Sequence, residues 1–398
     1  MSKLISFEDF LSYANALNAT IGLVAYEKPN TKPLKKLIFD VIFWLNFINL
    51  NLVLLGELVF VIESVNGRHE FLEMIMALSY IGFVALGSFK TCIIMQKKSH
   101  LTTYARDMNQ IFPNASIAVQ RELNVRKYLK YSKFFSIMFS TMCLAMLVFF
   151  NFEAITEWLI ATELRGDQNA AQHLPYFMYA PWDWTGNHWS YYLLYGIQCW
   201  AGHTSVVAQF SSDLLLYAFI GQLIMHFEAI TKDVSNYRLR SCTADMDFLR
   251  NIVFKHSILL ELSERINDLF GLSLFVNFAT SAVVMCFLGF QMSIGASFVN
   301  LLKLVLFLIL MLTQGFLICH FGQLLTDASL SIAYAAFNQN WISSDVCCQK
   351  MLILITERAQ KPVILKATTL VPVSRATMTQ LLQISYKFFA LLRTMYVQ

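Results

Sequence analysis

Five residues near the C-terminus, Gln380, Gln383, Lys387, Leu391 and Thr394, recur at helical spacing and form one polar or mixed stripe. The segment from Thr377 to Val397 contains no Pro or Gly to interrupt a helix. A second stripe, Leu381, Ile384, Phe388, Leu392 and Met395, is apolar. Amides, hydroxyls and an ammonium aligned in this way suit the passage of water or ions along the helix. A helix bathed in lipid does not carry two Gln, a Lys and Arg393, because each charge costs about 2.5–3.5 kcal/mol at the bilayer centre. The segment is therefore expected to be a transmembrane helix lining an aqueous path.

A second group could bind a ligand. Tyr191, Tyr195 and Gln198 stand at i, i+4 and i+7, on one helix face. Two readings stay open: helix packing with buried hydroxyls, or the wall of a cavity. Before them lies LPYFMYAPWDWTGNHW, Leu174 to Trp189, where six aromatic residues share sixteen positions with two prolines. Interfacial aromatics often merely anchor a helix end, but this density suits a folded cap. Two further faces are apolar: Phe71, Met74, Leu78 and Gly82 on one expected helix, and Cys143, Leu147 and Phe150 on another. Such stripes more often form core than pocket. A cavity between these helices, apolar with few polar groups, would suit a small volatile organic molecule.

Other chemistry finds no support. His203, His226 and His320 lack metal-ligand spacing, and adjacent Cys347 and Cys348 make no metal site alone. No nucleophile motif, phosphate-cradling glycine loop or paired carboxylate is present. Neither an enzyme nor a bound cofactor or metal is expected, and nothing points to nucleic acid.

The elements that position these residues are set by hydropathy. Of 398 residues, 57% are hydrophobic and 14% charged, against about 25% charged in soluble domains; the mean hydropathy is +0.52. The chain reads as an all-α membrane protein forming one domain. Spans of about 20 apolar residues, enough to cross a bilayer, fall at 37–62, 71–95, 134–158, 190–225, 267–291, 298–322 and 377–397, seven in all. The first carries Asp40, Asn46, Asn49, Asn51 and Glu57, so part of its surface should face other helices. The fourth is too long for one crossing and should project beyond the bilayer. After the sixth, Tyr334 and Trp341 bracket a turn-like FNQN, and CCQKMLILITERAQ reads as a shorter helix. The N-terminus lacks the apolar core of a signal peptide, and no internal repeat is found.

Loop charge sets the orientation. Segments 1–36, 96–133, 226–266 and 323–376 hold 5, 8, 6 and 5 Lys and Arg residues, whereas the alternate loops hold only Arg68 and Arg165. This positive-inside bias places the N-terminus in the cytoplasm and the C-terminus outside. A G-protein-coupled receptor runs the other way. None of the eight cysteines lies in the first, third or fifth loop, which argues against an extracellular disulfide. The sequons Asn18-Ala19-Thr20 and Asn114-Ala115-Ser116 fall on the cytoplasmic side, beyond the reach of glycosylation.

The C-terminal region carries a resemblance. RAQKPVILKA, Arg358 to Ala367, followed by ISYKFFALLRTMY, Ile384 to Tyr396, resembles the signature of the insect odorant receptors: Ala-Gln-Lys-Pro, then Ser-Tyr-x-x-Phe, then Leu-Leu-Arg-Thr. The Leu-Pro and Pro-Trp-Asp elements before the fourth span and the region of Asp213 resemble that family too. The related gustatory receptors end in Thr-Tyr, five residues, then Gln-Phe; here Ser385-Tyr386 is followed after five residues by Leu392-Arg393. The resemblance implies a ligand-gated, non-selective cation channel of four subunits in the plasma membrane of a sensory neuron. It implies a heterotetramer with the odorant receptor co-receptor, opened by a small volatile organic ligand and embedded in membrane lipid. This chain does not resemble the co-receptor itself, whose fourth loop carries a long insertion. The resemblance also tips Tyr191, Tyr195 and Gln198 toward a cavity. It makes the last helix line the pore, with a gate at Leu391, Thr394 and Met395, and makes the inner ends of the fourth to seventh helices a helical cytoplasmic anchor. Lys387 stands where the family more often has a small polar residue.

Overall fold

The computed structural model describes residues 4–28, 32–68, 70–114, 116–164, 172–182, 184, 188–239, 243–294, 298–342, 344–369 and 371–397. Arg165, Ala115, Cys242 and the 295–297 stretch of the fifth loop lie outside these. Eleven α-helices and one two-stranded hairpin account for nearly all regular structure among the described residues. In chain order the helices are α1 Glu8–Thr20, α2 Pro33–Val65, α3 Phe71–Gln96, α4 Lys98–Ile111, α5 Ile117–Glu122, α6 Val125–Leu159, α7 His188–Asn236, α8 Thr243–Ile294, α9 Phe298–Phe337, α10 Val346–Ala359 and α11 Arg375–Val397. Between α10 and α11, β1 (Lys366–Ala367) pairs antiparallel with β2 (Val371–Pro372).

Local chemistry marks several helix ends. α2 starts on Pro33, where the missing N–H is not needed by the helix. The side chains of Ser116 and Asp345 accept from the backbone N–H of Val119 and Cys347, capping α5 and α10. A π-helical turn, Ile160–Leu164, ends α6.

Six helices are long and apolar enough to cross a membrane: Pro33–Val65, Phe71–Gln96, Val125–Glu163, Trp189–Asn236, Ala244–Ile294 and Phe298–Phe337. The chain is a multi-pass membrane protein. α11 is not apolar enough to be counted with these six. Over 23 residues it carries Arg375, Lys387 and Arg393 among Gln, Ser and Thr. All seven stretches expected to cross a bilayer fall inside a single helix each.

α7, α8 and α9 have 49, 52 and 40 residues. At 1.5 Å per residue α7 is about 74 Å long, more than twice the roughly 30 Å of a hydrocarbon core. Their extensions pack on one another and continue the same core. There Tyr237 and Phe248 stack at 3.8 Å, and Lys255 pairs with Asp233 at 3.3 Å. Ser331 bonds Thr231 at 2.7 Å. α10 packs against α9 and α8. Asn267 accepts from the Lys366 N–H and donates to the Ile364 carbonyl, fastening the hairpin to α8.

The middle of the bundle is held by buried charge. Lys90 of α3 donates to Asp213 of α7 at 2.8 Å, and the two side chains are 1% and 4% exposed. Lys90 also donates to the Gln209 carbonyl at 3.2 Å. Gln314 of α9 donates to the second Asp213 oxygen at 2.6 Å and to Asn277 of α8 at 3.3 Å, and accepts from Gln209. One network thus ties four helices.

Breaking a buried pair by removing one partner leaves the other charge without compensation, at about 3–5 kcal/mol. Lys90→Met and Asp213→Leu should therefore each lower the thermal midpoint in detergent and the amount of chain at the cell surface, and the double variant Lys90→Met/Asp213→Leu should recover much of the loss. A double variant as unstable as the sum of both singles would show that the two charges are not coupled.

Candidate functional site

Two cavities adjoin between α2, α3, α6, α7, α8 and α9. The larger, about 530 Å³, is floored by Tyr80 and Tyr176 and bordered by Met76, Glu153, Lys303 and Trp184. The smaller, about 40 Å³, is walled by Phe83, Met146, Leu147, Phe150, Gln198 and Phe307, with Tyr80 and Tyr176 common to both.

Tyr176 is the residue around which the site is built. Its ring lies 5.5 Å from Tyr80, edge to face, and stacks at 6.5 Å on Phe150. Its hydroxyl donates to Asn151 Oδ1 at 3.1 Å. Burial pushes the phenol well above the ordinary tyrosine range, so it remains a neutral donor. Gln198 holds the backbone at this point: its Oε1 accepts from the Tyr176 N–H at 3.1 Å, and its Nε2 donates to the Tyr176 carbonyl at 3.0 Å. The loop enters because two helices present glycine to it. A Cβ on Gly202 of α7 would meet the Tyr176 hydroxyl at 2.8 Å. One on Gly56 of α2 would meet Met178 Cε at 2.7 Å, where the Tyr179 N–H donates to the Gly56 carbonyl at 3.0 Å. Phe177 adds a stacked contact with Phe60 at 5.6 Å. The aromatic stretch is thus a folded cap as far as residues 172–182 and Trp184 show; Asp183 and 185–187 lie outside the described residues.

The larger cavity contains its own ion pair. Lys303 donates to Glu153 at 2.6 Å, the two side chains being 11% and 7% exposed. The Lys303 ammonium also stands 4.9 Å from the centre of the Phe150 ring, a cation–π contact.

The residues expected from sequence fall in three places. Leu147, Phe150 and Gln198 line the smaller cavity. Tyr191 and Tyr195 form an adjoining cluster with Ala154. Tyr191 donates to the His173 carbonyl at 3.1 Å and lies 6.2 Å from Trp184, and the Tyr195 hydroxyl donates to the Asn151 carbonyl. Cys143 is buried in the core one turn away from Met146. Phe71, Met74 and Leu78 line neither cavity. Phe71 stacks on Tyr396 of α11 at 5.6 Å and meets Phe290 of α8 edge-on, and Gly82 lies against Val284 of α8. α3 turns Leu72, Met76 and Tyr80 toward the cavities instead. Tyr176, Tyr80 and Lys303 were not singled out by sequence; the Leu174-Pro175-Tyr176 element within the aromatic stretch was the available signal.

On α11, Gln380, Gln383, Lys387, Leu391 and Thr394 are all exposed in the single chain. Packing against α8 and α9 uses another seam: Met378 and Leu381 meet Gly315, and Phe389 meets Gly289. From the expected apolar stripe, Ile384, Phe388 and Met395 are left outside this seam. Phe388, Leu391, Leu392 and Met395 border an open apolar groove of about 250 Å³ with Val283 and Phe287 of α8. Among the described residues, no group of three or more His, Cys, Asp or Glu is arranged to hold a metal ion.

A bundle of long membrane helices with a capped aromatic cavity is the architecture of a membrane receptor. The family model for the 7tm odorant receptors matches residues 70–386. The chain belongs to the insect odorant receptor family. It is similar to Odorant receptor 85b of Drosophila melanogaster, with 40% identity over 98% of this chain and 100% of that one. Odorant receptor 85c of the same species is 38% identical over 98% and 100%. Among solved structures, the insect olfactory receptor OR5 from Machilis hrabei in complex with eugenol superposes with a TM-score of 0.83. It covers 98% of each chain at 14% identity, so the fold is shared. Family membership agrees with the expectation that the chain is not an enzyme.

If Gln198 fixes the cap, Gln198→Leu should speed amide hydrogen exchange in a peptide spanning 172–182 while leaving peptides from α8 unchanged. Unaltered exchange across the cap would mean that Gly202 and the ring contacts hold Tyr176 without the amide.

Proposed function

We propose that this chain is the ligand-tuning subunit of an odorant-gated, non-selective cation channel and assembles with the odorant receptor co-receptor into a heterotetramer. The observation that carries this reading is α11. It is held to membrane-spanning α8 and α9, yet it leaves Gln380, Gln383, Lys387, Leu391 and Thr394 exposed on one chain. Lipid does not suit such a face; a water-filled pore enclosed by several copies of α11 does. α11 is then the seventh crossing of a single membrane domain, with the N-terminus cytoplasmic and the C-terminus outside. The extensions of α7, α8 and α9, with α10, form the cytoplasmic anchor.

In this reading Leu391, Thr394 and Met395 narrow the outer end of the pore, and apolar side chains there close it by dewetting. The ligand, a small volatile organic molecule, occupies the cavities under the 172–182 cap. Leu147, Phe150 and Gln198 contact it directly, and Tyr191 and Tyr195 support the wall. Phe71, Met74, Leu78 and Cys143 act from the second rank, through the packing of α3 and α6. The Machilis receptor was solved with eugenol, a small aromatic volatile, which supports this ligand class.

The test is current through the chain expressed with and without the co-receptor. Phe150→Ala should change the ranking of a volatile panel at matched surface expression. Lys387→Gln should raise relative calcium permeability or alter rectification, since an ammonium on the pore face repels cations over a Debye length of about 8 Å. Permeation identical to the parent would remove Lys387 from the conduction path. An epitope after Gln398 should be labelled on intact cells and one before Met1 should not; the reverse pattern would overturn the architecture.

A further inference from the structure

The polar residues of α2 differ in one respect. Asn46 donates to the Ile42 carbonyl and accepts from Trp200 at 2.7 Å and Thr204 at 2.8 Å. Asn49 donates to the Ile197 carbonyl, Asn51 to the Phe47 carbonyl, and Ser64 to the Phe60 carbonyl. Glu57 is 1% exposed, and neither of its carboxyl oxygens has a hydrogen-bond partner. It lines the smaller cavity together with Val53, Phe83, Val84 and Ala201. Ser205 Oγ, in the same wall, is also without a partner.

An orphaned buried carboxyl group is costly, and α2 places this one where an incoming molecule would meet it. The adjoining cavity differs: there the Glu153 carboxylate is already matched by Lys303. No cationic side chain lines the smaller cavity, so a carboxylate there would be an uncompensated charge in an apolar wall. As a neutral acid, Glu57 offers one O–H donor and acceptor oxygens. Its complement is a ligand oxygen, carbonyl or hydroxyl, carried on an apolar body that packs against the surrounding aromatic rings. Building on the channel reading above, we infer that Glu57 is the polar anchor of the ligand site and selects oxygenated volatiles over hydrocarbons and amines of the same shape. Ser205 offers a second contact for a ligand hydroxyl. Tyr80 and Tyr176 stand between the larger cavity and Glu57, so a ligand reaches the carboxyl group by displacing the Tyr176 ring. The water-sized volume of the smaller cavity grows as it does so.

The test uses four probes of one shape: 1-phenylethanol, acetophenone, cumene and 1-phenylethylamine. Each is applied to the full chain co-expressed with the co-receptor, with surface expression measured alongside. In the parent, the alcohol and the ketone should act at lower concentration than cumene. Glu57→Leu should raise the half-maximal concentration of both by about tenfold, equivalent to about 1.4 kcal/mol, and leave cumene within about twofold. Glu57→Gln, which keeps a donor and an acceptor, should retain the preference. Equal shifts for all four probes, or none, would make Glu57 a structural residue and overturn the inference. A parent that prefers the amine and loses it in Glu57→Gln would overturn it in favour of an ion pair. Should Glu57→Leu fail to reach the surface, the parental ranking decides, since equal potency of cumene and the alcohol is incompatible with an anchor. Silence to these four with normal responses to other volatiles overturns the inference alone. Silence to every volatile, with both chains at the surface, overturns the channel reading beneath it.

Discussion

The Lys90–Asp213 pair is the constraint on which the bundle depends. Hydrocarbon provides no solvent for either charge, so each is tolerated only where the other is, and four helices must align to make that so. Gln314 and Asn277 complete the arrangement by occupying the second Asp213 oxygen and extending it to α8 and α9. The candidate ligand site inherits this register. Tyr80 and Phe83 lie on the helix that carries Lys90, and Gln198 and Gly202 on the helix that carries Asp213. A slip of either helix by one residue would separate the charges and turn the cavity walls away from each other.

The cap and the last helix show the same rule applied at opposite degrees of completion. Around Tyr176 every close approach is prepared, with glycine where backbone and ring need room and an amide where the backbone needs partners. α11 is unfinished within one chain. Its seam against α8 and α9 is narrow, and both its polar stripe and the groove beside Met395 lack neighbours. The proposed assembly would supply the neighbours that such a face lacks.

Much of this was legible in the sequence. Long apolar runs gave the helices, and the polar residues of the first span were expected to face other helices, as the bonds of Asn46 and Asn49 to α7 show. What periodicity could not rank was the face of a helix that is apolar nearly all round. On α3 Phe71 meets α8 and α11, and Met74 and Leu78 share its face, while Leu72, Met76 and Tyr80, on the nearly opposite face, meet the cavity. On α11 the packing seam runs through Met378, Leu381 and Phe389 rather than Ile384 and Phe388 for a similar reason. Tyr176 lies in a loop, where no period exists to mark it; only its partners on α3, α6 and α7 do so. Glu57 was visible as a charge in an apolar run, but its isolation is a property of three dimensions.

The buried pair also bears on how the chain is made. Lys90 and Asp213 are 123 residues apart, and ribosomes add about 5–20 residues per second. α3 is therefore synthesised roughly 6–25 s before its counter-charge exists, and Gln314 follows 101 residues after Asp213. During that interval the Lys90 ammonium needs water or lipid headgroups, which a long flexible stem can reach by snorkelling. α3 then cannot settle at its final depth until α7 arrives.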